Sequence, residues 1–269
     1  MEYTKVKLSV EDGVAIITLS DPATMNAAGI DVANELTDAF RRVATGKVSA
    51  RAIVLTGEGR GFCSGANLSG GGAAGAGGTL DADGLPDAGR GLELYYNPLV
   101  TLMRDSEIPI VTAVNGAAAG VGCSLALLGD IVVAAESSYF LQAFRRIGLV
   151  PDGGSTYILP RLIGKARAME MALLGDKIPA KTALDWGLVN RCVPDAELMT
   201  TALGIAKELA RGPMSLGMIR QLIWASMDQT WLEQLHDERL SQRVAGKSAD
   251  FREGVSAFLQ KRPAAFSGK

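Results

Sequence analysis

At 269 residues and 48% hydrophobic content, the chain is long enough to bury a sizeable core and too apolar for global disorder. Its 27 Lys and Arg against 29 Asp and Glu leave a net charge of −2 with no basic stripe; that argues against nucleic acid as a partner, and any phosphate-bearing ligand must be held by a few local donors. Cys63, Cys123 and Cys192 are scattered without metal-ligand spacing and read as reduced structural thiols of a reducing compartment. The opening MEYTKVKLSV lacks a secretory apolar core, so a cytoplasmic location is expected.

Two β-rich runs, 6–10 and 14–19, flank Glu11-Asp12-Gly13 and predict a hairpin. Apolar residues Val32, Leu36, Ala39, Phe40 and Val43 recur at helical spacing over 30–43. Short apolar runs at 52–55, 109–114 and 131–135 predict buried strands, with helical patterns at 92–104 and 122–128 between them. The stretch 108–129 carries no charge, yet Pro109, Asn115 and several glycines break it; it reads as strand, turn and buried helix rather than a membrane span. From Lys165 onward strand signals nearly vanish. Helices are expected at 165–174, 180–186, 196–211, 214–227, 231–244 and 249–261. An α/β core over 1–190 is therefore expected, followed by a helical module over 191–269. The Gly/Ala-rich segment 69–91 lacks the Lys-Ser/Thr of a phosphate loop and reads as a loop beside a site.

Three glycine-bearing segments are candidates for chemistry. Gly61-Phe62-Cys63-Ser64-Gly65-Ala66-Asn67-Leu68 follows one predicted strand, and Gly116-Ala117-Ala118-Ala119-Gly120-Val121-Gly122-Cys123 follows another. If they face each other, their main-chain N–H groups form an oxyanion site; read alone, they are tight connections in a core. Gly148-Leu149-Val150-Pro151-Asp152-Gly153-Gly154 has turn composition, and Asp152 reads equally as a cap of the next helix. The lone histidine, His236, lies in a helical pattern with no triad motif around it.

The order and spacing of these segments resemble the crotonase (enoyl-CoA hydratase/isomerase) superfamily. The resemblance begins at Leu19-Ser20-Asp21-Pro22 and Met25-Asn26-Ala27. It runs through the three glycine-bearing segments to ALDWGLV and the tail FREGVSAFLQKRPAAF. It implies a spiral of ββα turns with a C-terminal helical trimerisation module. It also implies an acyl-CoA thioester as substrate, no separate cofactor, and a homotrimer or dimer of trimers, with no membrane partner.

Carried over residue by residue, the oxyanion donors map to the N–H groups of Ala66 and Val121. The CoA contacts map to Met25, Ala27, Asn67 and Leu68, and to Phe258 and Lys261 of a neighbouring subunit. Lys261 reads alternatively as a solvated helix-end cation. A side chain at Val121 departs from the frequent all-glycine form and narrows the space above the thioester. The hydratases' two glutamates fall on Ser124 and Phe144, which have no acid/base capacity. Asp152 takes the place of the single acid found in enoyl-CoA isomerases and epoxyphenylacetyl-CoA isomerases. Double-bond migration through an enolate is therefore expected. Ring-opening of epoxyphenylacetyl-CoA, hydratase-like activity and silent acyl-CoA binding are the alternatives. Phe144, Phe140 and Tyr157 are expected to dry the site and raise the Asp152 pKa.

Overall fold

A computed structural model describes residues 2–67, 81–85 and 87–269. Strands β1 (Val6–Glu11) and β2 (Val14–Leu19) form the expected antiparallel hairpin. Asp12 and Gly13 both take positive φ, 49° and 78°, which suits the right-handed twist of the flanking strands. Helix α1 (Ile30–Ala44) follows and buries Val32, Leu36, Ala39, Phe40 and Val43. Buried Glu35 on the same helix accepts the Thr4 and Lys5 N–H groups, which ties α1 to the start of the chain.

The chain then winds through a repeated strand, strand, helix turn. The first turn holds β3 (Ala52–Gly57) and β4 (Gly61–Cys63), then α2 (Ala88–Gly91), a π-helical turn (Leu92–Tyr96) and α3 (Asn97–Arg104). The second holds β5 (Ile110–Val114), β6 (Ala117–Ala119) and α4 (Val121–Leu127). The third holds β7 (Ile131–Ala135), β8 (Tyr139–Leu141), a 3-10 turn (Ala143–Ile147) and α5 (Ser155–Leu174). After these come β9 (Ile178–Pro179), α6 (Ala180–Trp186), β10 (Arg191–Val193) and α7 (Leu198–Ala210), then α8 (Ser215–Ala225), α9 (Trp231–Ala245) and α10 (Ala249–Gln260).

The first strand of each turn enters a six-stranded sheet ordered β1-β2-β3-β5-β7-β10, parallel beyond the hairpin. The second enters a four-stranded sheet ordered β4-β6-β8-β9. This is the expected ββα spiral. The large sheet is apolar on both faces, as parallel sheets are. Ile53 and Leu55 of β3 join the core containing α1, while Ala52 and Val54 point the other way, onto Ala202 and Ala206 of α7.

Two expectations change. Segments 61–63 and 117–119 are strands of the small sheet, where the sequence reads as turns; three residues are too few to carry a visible alternation. Strands also continue past Lys165: β10 pairs in parallel with β7, and α7 covers the large sheet. Residues on both sides of position 190 thus share one sheet. The expected helix start at 165 reflects a break inside α5, where Gly164 takes φ 74° and ψ 161°. The uncharged stretch 108–129 forms β5, β6 and α4, and among the described residues no helix is long and apolar enough to cross a membrane.

Candidate active site

The two glycine-bearing segments meet where the small sheet hands over to α4. A Cβ built on Gly65 would lie 3.0 Å from the Ala119 carbonyl oxygen, and Gly65 itself has φ 105°, so the position fits glycine on both counts. Just beyond, Ala66 and Val121 line a cavity of about 420 Å³ together with Tyr96, Phe144 and Asp152. Its wall also includes Leu92, Ile147, Leu149 and Val150.

The direction of the two N–H groups follows from the peptide planes that carry them. The Gly65 carbonyl accepts the Ala28 N–H at 2.7 Å. In a trans peptide the carbonyl and the next N–H point opposite ways, so the Ala66 N–H is turned away from Ala28. The Gly120 carbonyl accepts the N–H groups of Cys123 and Ser124 in the first turn of α4. The Val121 N–H on that plane is turned out of the helix by the same rule. Among the described residues neither N–H has an acceptor, and both residues border the cavity, which leaves the two donors available to a ligand. A developing negative charge is the ligand such a pair suits.

Asp152 is held by its main chain, not its carboxylate. Its carbonyl accepts the Ser124 hydroxyl at 2.9 Å and the Ser155 hydroxyl at 2.8 Å. Its Oδ1 is buried with no hydrogen-bond partner among the described residues. Burial alone pushes its pKa up to about 6, with no neighbouring charge contributing. Asp152 does not cap α5 through its side chain; Gly154 occupies the N-cap position.

Of the other expected residues, Phe144 stands against the oxyanion turn, 3.8 Å from a Cβ built on Gly120. Tyr157 does not dry the site. Its hydroxyl donates to Asp228 at 2.7 Å and its ring stacks under the Arg161 guanidinium, because α5 turns that face toward the C-terminal helices. Phe140 does not line the cavity either; it points from β8 into the core and is fully buried. Leu92, Tyr96, Val121, Phe144, Ile147, Leu149 and Val150 form the apolar wall instead.

Met25, Ala27 and Asn67 do not line the cavity. Met25 is exposed beside Ser64, whose N–H donates to the Met25 carbonyl. Met25 and Asn26 both take positive φ, 54° and 58°. The strain is held by the Asn26 amide, which donates to the Glu58 and Gly61 carbonyls while its oxygen accepts the Asp21 N–H. Leu68 lies outside the described residues. Phe258 and Lys261, at the end of α10, do not line the cavity of their own chain; Phe258 lines a separate apolar groove of about 650 Å³. Among the described residues no group of His, Cys, Asp or Glu could hold a metal ion.

Sequence reasoning missed the clamping hydroxyls of Ser124 and Ser155, and it missed Tyr96. The first two look like ordinary helix residues. Tyr96, the last residue of the π turn, lines the cavity from a stretch that reads only as helix.

Comparison with known proteins identifies the family. Residues 9–269 match the family model described as enoyl-CoA hydratase/isomerase. The chain is 44% identical over 262 residues to the 1,2-epoxyphenylacetyl-CoA isomerase of Escherichia coli, covering 97% of both chains. It is 44% identical over 270 residues to a Rhodobacter capsulatus protein named "Probable enoyl-CoA hydratase", covering 100% of both. It superposes on a crystal structure of an enoyl-CoA hydratase from Polaromonas with a TM-score of 0.86 at 31% identity, covering 97% of this chain and 99% of that one.

Proposed function

Since the chain belongs to the enoyl-CoA hydratase/isomerase family, we propose that it moves a double bond in an enoyl-CoA thioester, with Asp152 as the single base. The observation that carries this reading is the desolvated, unpartnered Asp152 carboxylate sharing one cavity with the N–H groups of Ala66 and Val121. The thioester oxygen sits between those two donors. Asp152 takes a proton from the carbon α or vinylogous to the carbonyl, and the C–H electron pair moves toward oxygen to give a dienolate. The two N–H groups stabilise that charge, each contributing about 3 kcal/mol. Asp152 then returns the proton at the other allylic carbon, so no external acid, base or cofactor enters the balance.

Hydration is disfavoured because the positions of the hydratase glutamates hold Ser124, whose hydroxyl is committed to the Asp152 carbonyl, and Phe144. A second reading, ring-opening of an aryl epoxide thioester, is favoured by the 44% identity to a protein of that activity and by the aromatic Tyr96 and Phe144 in the wall. It uses the same donors.

We assign CoA binding to Met25 and Ala27, to Ala66, Asn67 and Leu68, and, from a neighbouring subunit, to Phe258 and Lys261. Exposed Phe258 and Leu259, at 84% and 75%, support assembly as a trimer or dimer of trimers. Helices α8–α10 form the oligomerising module, in a cytoplasmic enzyme. A panel of 3-enoyl-, 2-enoyl- and epoxyaryl-CoA thioesters tests the reaction type. Migration with negligible hydration supports the reading; brisk hydration of crotonyl-CoA without migration overturns it.

A further inference from the structure

We propose that Tyr96 is a positioning residue for the Ala66 N–H, acting through hydrogen bonds at Ala28; the proposal rests on the oxyanion reading of Ala66 and Val121. The Tyr96 hydroxyl donates to the Ala28 carbonyl at 2.5 Å, across 68 residues of sequence. The N–H of the same Ala28 donates to the Gly65 carbonyl at 2.7 Å. That carbonyl lies on the peptide plane whose other end is the Ala66 N–H. Fixing Ala28 therefore fixes the plane that aims the donor.

The two donors are not equally supported. The Val121 plane is held from within α4 by the Cys123 and Ser124 N–H groups. The Ala66 plane is held at an isolated bridge, Ala28 to Ala66, outside both sheets, so no neighbouring strand reinforces it. Tyr96 supplies the reinforcement. It sits at the last position of the π turn Leu92–Tyr96, between α2 and α3, and is 3% exposed. A π turn inside a helical stretch is a rare irregularity that is frequently found at functional sites. Here it ends on the residue that grips the oxyanion segment. Burial raises the phenol above its ordinary pKa, so it stays protonated and remains a donor over the working pH range.

Any buried tyrosine hydroxyl needs some acceptor, so the test must separate aiming from packing. Tyr96→Phe deletes one oxygen and keeps the ring. The probe is butyryl-CoA carrying ¹³C at the thioester carbonyl, which has no double bond to move; its bound C=O stretch is read by infrared difference spectroscopy. In the unmodified enzyme the stretch falls below that of free butyryl-CoA, and in Tyr96→Phe at least half of that fall is lost. Turnover of a 3-enoyl-CoA drops about tenfold, less than loss of a whole donor, with KM changing by less than about twofold. Tyr157→Phe, which removes a hydrogen-bonded phenol outside the cavity, leaves the stretch unchanged. An identical stretch in Tyr96→Phe and the unmodified enzyme overturns the role of Tyr96 while leaving the oxyanion reading intact. No fall in the unmodified enzyme overturns the oxyanion reading and this proposal together.

Discussion

The Ser124 hydroxyl donates to the main-chain carbonyl of Asp152 at 2.9 Å. The helix that opens at Val121 therefore also anchors the turn that carries the acid. Ser155 shares the load at 2.8 Å, so Ser124→Ala weakens the anchor without freeing it. Migration turnover is expected to fall about 3- to 10-fold with a stability loss of about 1 kcal/mol, the ordinary value of one hydrogen bond. Steady-state kinetics and thermal unfolding measure the two effects; an unchanged turnover number would show that Ser155 alone holds the turn.

Replacing Ser124 with glutamate does not create a hydratase. A Cβ built on Gly153 would already lie 2.8 Å from the Ser124 Cβ, and Ser124 is fully buried. The longer side chain displaces the Asp152 turn instead. Loss of migration with no gain of crotonyl-CoA hydration is the expected result, and measurable hydration in this variant contradicts it.

The pKa of Asp152, raised to about 6, sets both a rate profile and a stability profile. On the proposed mechanism the base is the carboxylate form, so turnover should rise with pH through about 6 and level off above 7. The raised value means that folding disfavours the charge. The stability tied to the protonated form is present below the unfolded pKa near 3.8 and is lost as pH rises through about 6. Asp152→Asn keeps the shape without the charge. It should lose about 10³–10⁴-fold in turnover, yet unfold a few degrees higher than the unmodified enzyme at pH 8, a gain on the order of 2 kcal/mol. The gain should vanish near pH 4. A variant less stable at pH 8 refutes the desolvation argument.

Gly122→Ala should be a damaging small substitution near the site. Its Cβ would lie 2.3 Å from the Cys63 carbonyl oxygen, a backbone atom with no freedom to step aside. The helix must retreat from the first glycine-bearing segment, which separates the two donors. We expect destabilisation of about 1–3 kcal/mol by overpacking and a loss of activity larger than stability explains. Activity retained by the purified variant, assayed well below its melting temperature, would falsify the close-contact argument.

Leu259→Asp tests the assembly. Leu259 is 75% exposed in the single chain and lines the same apolar groove as Phe251, Val255 and Phe258. Light scattering should show the proposed trimer of the unmodified protein replaced by smaller species. On the proposed shared CoA site, the KM for acyl-CoA should rise at the same time, because the neighbour's Phe258 and Lys261 would depart. Dissociation with an unchanged KM would place the CoA site within one subunit.

Much of this architecture is legible in the sequence. Strands β3, β5 and β7 announce themselves as charge-free apolar runs, and the helices from α6 to α10 by their apolar spacing. The small sheet is not legible: β4, β6 and β8 are three residues each, too short for a period-2 pattern to register. At the site, Ala66, Val121 and Asp152 are visible only through a family pattern, since two contribute main chain and the third has ordinary turn neighbours. Tyr157 misleads because it sits five residues after Asp152 on a helix, and helical rotation carries it to another face. Tyr96 lies in the expected helix 92–104, but its apolar spacing does not tell which residue of that helix faces the site.

Because the two proposed oxyanion donors are main-chain atoms, a coding change deletes one only by writing proline there. Every other replacement at Ala66 or Val121 changes the volume and polarity beside the reacting carbonyl while leaving the N–H in the chain. Duplicated copies of this gene can therefore explore new acyl groups through Val121, Phe144 or Leu149 without first surrendering charge stabilisation. The vulnerable point for such lineages is Asp152, whose carboxylate resides in a single side chain with no understudy.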